Sequence, residues 1–339
     1  MKLIRTEEAV GHVLCHDLTQ IIKDQYKDAR FRKGHVVTEA DIPVLLSMGK
    51  EHLYVWEMTP GMLHENDAAE RLYALCANEH MDRSEVKEGK IELKAACDGL
   101  FRVNSEKLIA VNTVEDIMIA TRKGGTAVRK GDKLAGMRVI PLIIPEEKLQ
   151  AAEQAAGDAP LLELKPWVRK TAAIVATGSE VKKGLIQDTF TPVVKEKLAA
   201  YGIETVSIAY SGDGVENVAG AVTEARATGA DVILCTGGMS VDPDDNTPGG
   251  IKQSGAKIVT YGAPVLPGAM FLLGYYDDGT PIMGLPGCVM YAGATIFDLV
   301  LPFVAADVPV TRQQIVAMGE GGLCLGCKPC HWPLCPFGK

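Results

Sequence analysis

The run Val232-Ile-Leu-Cys-Thr-Gly-Gly-Met-Ser-Val-Asp-Pro-Asp-Asp-Asn-Thr-Pro248 joins an apolar stretch to a glycine pair and then to a loop of carboxylates. A β-type run that stops at Gly237-Gly238 puts the loop at the carboxyl end of a strand, where open α/β sheets bind ligands. Without a Cβ, these glycines let the backbone turn sharply and bring N–H groups close to an anion such as phosphate. Asp242, Asp244 and Asp245 offer the hard oxygens that Mg²⁺ takes alongside substrate phosphates. A surface turn rich in Asp, Asn, Pro and Gly is the competing reading of this loop taken alone.

Other segments share this character. Thr177-Gly178-Ser179-Glu180 closes the apolar run 171–177, and Leu285-Pro286-Gly287 closes the run 281–285. The hydroxyls of Thr177, Ser179, Thr236 and Ser240, with the backbone N–H groups beside them, suit phosphate oxygens. Gly287 allows a close backbone approach, and a helix expected over 289–303 would aim its positive end at an anion from near Cys288. An ordinary tight turn is the alternative for Leu-Pro-Gly. Asp213 sits in Ser211-Gly-Asp-Gly214 at another expected strand end, or it caps the helix that starts at Val215. Lys182, Lys183 and Lys252 balance ligand charge or lie on solvated faces.

The C-terminal stretch Cys324-Leu-Gly-Cys327-Lys-Pro-Cys330-His-Trp-Pro-Leu-Cys335-Pro carries four of the nine cysteines. Thiols this close in a cytoplasmic protein read as metal ligands before they read as disulfides. The spacing approaches bacterial iron–sulfur loops, with a last gap one residue longer. Tetrahedral Zn²⁺ on four thiolates, or on three plus His331, is equally compatible. A disordered tail is the remaining alternative. Cys15, Cys76, Cys97, Cys235 and Cys288 are scattered and expected as buried reduced thiols.

These residues need elements to hold them. Expected strands at 171–177, 204–210, 231–235 and 281–285 alternate with expected helices from about 189 to 201, over 215–228 and over 289–303. The implied fold is α/β, a three-layer, doubly wound, mostly parallel sheet over 166–310. Residues 1–150 read as small β-rich modules, with a connecting helix over 67–80. Residues 151–165 read as a linker, inside a helical or flexible stretch over 145–158, and residues 311–339 as a Cys-rich tail. A net charge of −8 argues against general nucleic-acid binding. The N-terminus lacks the apolar core of a signal peptide, and the apolar region 281–304 is broken by Pro286-Gly287, Asp298 and Pro302. A cytoplasmic protein with no membrane or nucleic-acid partner is expected. His12 and His16 lie four apart in a strand-turn context ill suited to paired ligation. No phosphate-loop motif or Gly-x-Gly-x-x-Gly after a strand is present.

Taken in register, Thr177-Gly-Ser-Glu-Val181, Thr236-Gly-Gly-Met-Ser-Val through Asp245-Asn-Thr-Pro248, and Leu285-Pro-Gly287 resemble the molybdenum-cofactor biosynthesis family over about residues 168–305. That family includes molybdopterin molybdenumtransferase, molybdopterin adenylyltransferase and gephyrin. Near the N-terminus, Glu8-Ala-Val-Gly-His-Val-Leu-Cys-His-Asp17 and the segments around Arg32 and Leu45 look like pieces of the molybdenumtransferase branch. The branch's Asp-Gly-Tyr-Ala-type motif has no counterpart here. Ala269-Met270 stands where Lys-Pro is usual, and Cys288 where Asn or Gln is usual. The resemblance implies a molybdopterin ligand and a cytoplasmic homo-oligomer, a dimer or trimer. It implies that Asp213 and Asp245 bind Mg²⁺ or assist phosphoryl-bond cleavage, with Asp242 and Glu180 as second choices. The implied activity is Mg²⁺-dependent insertion of molybdate into molybdopterin-AMP, with a molybdoenzyme as acceptor and adenylyl transfer from ATP as a sister possibility. A non-catalytic carrier, storage or sensor protein is the alternative.

Overall fold

The computed structural model describes residues 2–22, 26–55, 60–243 and 245–339. The chain forms two compact units, one of residues 1–96, 103–124 and 130–163, the other of 97–102, 125–129 and 164–339.

The first unit is built from short antiparallel pairings, as the glycine-punctuated sequence leads one to expect. Its largest sheet has four strands, in the order 81–83, 90–95, 133–139 and 117–121. The helix expected as a connector is Glu65–Cys76, with Ala68, Ala69, Leu72 and Cys76 buried. Apolar residues on one face make it a packed element rather than a connector. The stretch expected as a linker behaves similarly. Glu146–Ala156 is a helix that buries Leu149, Ala152 and Ala156, and Leu162–Pro166 is a strand. An Ala- and Glu-rich composition has high helix propensity whether or not the helix finds a surface, so composition alone could not separate linker from core. Segments 97–102 and 125–129 belong to the second unit, and Leu100 joins its core. The β-rich part therefore does not end at one point near residue 150.

The second unit carries the α/β domain, with strands β1 (Thr171–Thr177), β2 (Glu204–Ser211), β3 (Val232–Thr236), β4 (Lys257–Tyr261), β5 (Leu272–Tyr275) and β6 (Pro281–Leu285). Its helices are α1 (Ser179–Lys182), α2 (Phe190–Ala199), α3 (Val215–Ala227), α4 (Thr247–Gln253), α5 (Ile296–Ala305) and α6 (Arg312–Ala317). The sheet order is β2-β1-β3-β6-β5-β4. β2, β1, β3 and β6 are parallel, while β5 runs antiparallel to both neighbours.

Period-two alternation sends each central strand into two cores. Ala172, Ile174, Val232, Leu234, Met283 and Leu285 join the cluster that holds α2 and α5 residues. Ala173, Val175, Ile233, Cys235 and Ile282 join the cluster that holds α3 and α4 residues. Burial on both faces explains why these strands read as unbroken apolar runs, and it makes the domain three-layered.

One helix starts later than expected. Gly287–Met290 is a single 3-10 turn, and α5 begins at Ile296. The Thr295 hydroxyl and the Asp298 carboxylate form a reciprocal capping box that fixes this start. Lys197 of α2 pairs with the same carboxylate, so the cap is also an ion pair.

Candidate functional site

The chain leaves β1 for β2 on one side and returns to β3 on the other, so the strand order reverses between β1 and β3. At such a switch point the connections diverge and leave a crevice outside the carboxyl ends of the strands. Thr177 ends β1 and Thr236 ends β3, which puts two of the expected loops at the crevice. Ser211 ends β2 beside β1, and Leu285 of β6 pairs in register with Thr236. All four loops thus leave the same end of adjacent parallel strands.

The β1 and β3 loops are locked together. Gly237 and Gly238 have φ of 82° and 57°, a region that favours glycine. A Cβ on Gly237 would collide with the Thr177 carbonyl oxygen, and one on Gly238 would lie 2.7 Å from Thr247 Oγ1. The buried Thr177 hydroxyl donates to the Thr236 carbonyl at 2.8 Å and shares a hydrogen bond with Thr247 Oγ1 at 2.9 Å. The sequence suggests Thr177 as a phosphate contact; in the structure its hydroxyl is spent on holding the loops.

The backbone of the glycine loop is divided by polarity. Its carbonyls are tied down: Thr247 N–H donates to Gly238, and the Tyr261 hydroxyl donates to Met239 and Ser240 at 3.0 and 3.3 Å. Burial first, and then the Asp245 charge, raise the Tyr261 pKa, which keeps this phenol a donor. Among the described residues, the N–H groups of Gly238, Met239 and Ser240 donate to no protein acceptor. A loop with carbonyls anchored and N–H groups open is suited to an anion.

The remaining predicted residues lie around this core. Ser179 Oγ accepts from Asp213 N–H at 3.3 Å, joining the β1 and β2 loops. Gly178 N–H donates to the Ser211 carbonyl, so it is committed to the protein. Glu180, Asp213 and Asp242 are exposed and Asp245 is half-buried. Asp244 lies outside the described residues. The helix after Asp213 has no side-chain cap, so the capping alternative for Asp213 does not hold in this structure. Lys182, Lys183 and Lys252 are all exposed, and the Lys182 stem lies near Gly212.

Leu285 is buried and Pro286-Gly287 opens the 3-10 turn. The expected helix dipole near Cys288 is absent, because the α-helix starts at Ile296. Burial first, and Asp298 as well, push the Cys288 thiol up, which disfavours the thiolate. Cys76 and Cys235 are pushed up to about 12 by burial, as expected of structural thiols, whereas Cys97 and Cys288 are half-buried rather than buried. The tail cysteines line a cavity of their own, described below.

Sequence reasoning misses Thr247 and Tyr261. Thr247 stands in the Asn-Thr-Pro signature but gives no sign that its partner lies seventy positions away at Thr177. Tyr261 lies on a strand for which the sequence carries no periodic signal.

Residues 173–306 match the family described as "Probable molybdopterin binding domain", and residues 3–57 match a domain of unknown function. Over this span the α/β domain matches a molybdopterin-binding domain of the molybdenum-cofactor biosynthesis type. A CinA-like protein of Desulfosudis oleivorans is 41% identical over 86 residues, covering 25% of this chain and 21% of that protein. A "Probable FAD synthase" of Caenorhabditis briggsae is 33% identical over 84 residues, covering 25% of this chain and 16% of that protein. The chain thus spans about a fifth or less of the length of these curated relatives. Among solved structures, the molybdopterin biosynthesis enzyme MoaB from Thermus thermophilus aligns over 40% of this chain and 91% of its own. The identity is 20% and the TM-score 0.32. Among the described residues, no helix is long and apolar enough to cross a membrane.

Proposed function

We propose that this chain binds molybdopterin at the β1–β3 crevice and acts in the cytoplasm in molybdenum-cofactor biosynthesis, inserting molybdate into adenylylated molybdopterin with Mg²⁺. The observation that carries this reading is the glycine loop, whose carbonyls are anchored while the N–H groups of Gly238 to Ser240 remain open. Those donors take the ligand's phosphate. Ser179, Ser240 and the Leu285-Pro-Gly287 turn border it, with Thr177, Gly178 and Thr236 as the frame. The family match supports the ligand class. A molybdoenzyme is the proposed acceptor, and the proposed assembly is a homo-oligomer.

Asp245 and Asp213 are the proposed Mg²⁺ ligands, with Asp242 and Glu180 in reserve. Among the described residues no three acidic, His or Cys side chains converge on one point. Mg²⁺ needs only one or two protein carboxylates and completes its shell with phosphates and water. Bound there, the ion supplies charge neutralisation to the phosphoanhydride. The chain's own part is to hold the phosphate on fixed N–H groups and to keep Tyr261 protonated behind the acidic loop.

A carrier, storage or sensor role is the second reading, favoured by Cys288, a neutral thiol where an amide is usual in the family. One assay separates the two. Purified protein is incubated with molybdopterin-AMP, molybdate and Mg²⁺, and AMP release is followed. The enzymatic reading expects AMP release that falls about 100-fold or more in Asp245→Ala while pterin binding persists. Tight binding without AMP release establishes carriage instead.

A further inference from the structure

Beyond Ala317, where α6 ends, the chain has turns and a single bridge residue, Leu323, opposite Leu266. A segment of this length with so little hydrogen-bonded structure rarely holds one conformation without a cross-link. This one is nonetheless placed firmly on the domain. Leu266 N–H donates to Gly322 and Cys324 N–H donates to Leu266, both at 2.8 Å. Phe337 is 2% exposed, lies in the core that contains α5, and meets the Trp332 ring edge-on at 5.6 Å between centroids.

Between these anchors lies a cavity of about 190 Å³ lined by all four tail cysteines, His331 and Trp332. All four thiols are free of disulfides. Cys330 is pressed against the loop that leads from β6 to α5. An ideal Cβ on Gly293 would lie 2.6 Å from its Sγ, so only glycine admits the thiol there. The cavity is more than ten times the volume a single water requires. A zinc ion at about 2.3 Å from each sulfur would instead need the thiols gathered tightly around one point. No three metal-binding side chains among the described residues are gathered so closely.

We infer that Cys324, Cys327, Cys330 and Cys335 hold an iron–sulfur cluster that cross-links the tail to itself where it packs on the β6–α5 loop. A polynuclear cluster keeps its thiolates apart across its own body and so fills a cavity that a single ion leaves empty. The C-x2-C-x2-C stretch gives three ligands from one loop, and Cys335, followed by Pro336, closes the set. This inference is independent of the pterin reading, since none of the crevice loop residues lines the cavity.

The test uses the full chain, purified without oxygen and then treated anaerobically with ferric iron, excess dithiothreitol and sulfide. Iron, acid-labile sulfide and zinc are quantified, and visible spectra are recorded before and after dithionite. The expected result is iron and sulfide in about equal amounts, with a brown colour that dithionite bleaches. Cys327→Ala and Cys330→Ala should lose that absorption while keeping the far-ultraviolet circular dichroism of the parent. Cys97→Ser should keep both. Zinc at about one per chain without sulfide, no metal uptake after reconstitution, or a cluster that survives both tail substitutions would each overturn the inference.

Discussion

The Thr177 and Thr247 hydroxyls lie 2.9 Å apart, joining the end of the first parallel strand of the sheet to the start of the helix after the acidic loop. Both side chains are buried, and Thr177 also donates to the Thr236 carbonyl. The three residues bridge the point where the strand order reverses, so the glycine loop between them is held at both ends.

Replacing Thr247 with valine keeps the shape and removes the hydroxyl. Leaving a buried partner underbonded costs about 1–3 kcal/mol. The urea midpoint of Thr247→Val should fall accordingly, and molybdopterin binding should weaken more than stability alone explains, because the glycine loop loses its far anchor. Unchanged binding would show that the loop does not depend on this bond.

Gly237→Ala is expected to be more severe. The added methyl meets the Thr177 carbonyl in a backbone region that disfavours side chains. Strain of this kind costs about 1–3 kcal/mol before any collision is counted. Circular dichroism should show a folded protein of lower stability, and titration with molybdopterin should show binding lost.

The Lys197–Asp298 pair tests how the β6–α5 loop is held. Both side chains are largely buried, with 16% and 10% exposure, and the lysine also reaches the Gly293 carbonyl. Lys197→Met strands a carboxylate that retains its capping bonds, so the loss should be about 2–4 kcal/mol, somewhat below that for a fully isolated buried charge. Hydrogen exchange should report faster opening of residues 287–296 than of β1.

The first unit should carry a histidine-dependent pH response. The His64 imidazole donates from Nε2 to the Cys15 carbonyl, while Nδ1 accepts from Asn66 N–H and faces Lys33 Nζ at 3.2 Å. Burial first, and then Lys33, hold its pKa below the usual imidazole range; burial and Lys50 do the same for His16. The folded form therefore binds a proton less readily than the unfolded chain. Stability is full above about pH 6.5 and falls as the pH drops towards the folded pKa, by at most about 1.4 kcal/mol per unit per histidine. Urea unfolding between pH 7.5 and 5 should show this decline, and His64→Gln should make it shallower, leaving the His16 share.

Much of the domain was legible because its signals are local. Parallel strands buried on both faces read as apolar runs, and Gly178, Gly212 and Gly237 mark where the strands stop. The antiparallel edge was not legible. Its strands, Lys257–Tyr261 and Leu272–Tyr275, are too short for a periodic signal, and their pairing is irregular between Ile258 and Thr260. The start of the helix at Ile296 was misplaced because Val289 and Met290 extend the apolar pattern, while the capping box at Thr295 and Asp298 decides the boundary. At the site, the glycines announced the loop. The threonine lock and the Tyr261 brace join residues far apart in sequence, which no local pattern encodes.

The central claim is that the loops after the first and third strands of the domain hold molybdopterin by its phosphate. Its most direct test is equilibrium titration of the purified full chain with molybdopterin, in parallel with the dephosphorylated pterin and with Gly237→Ala. Binding by the parent, lost on removing the phosphate or on substituting Gly237, is the predicted result. Equal affinity for the dephosphorylated pterin, or no binding by the parent at all, would contradict it.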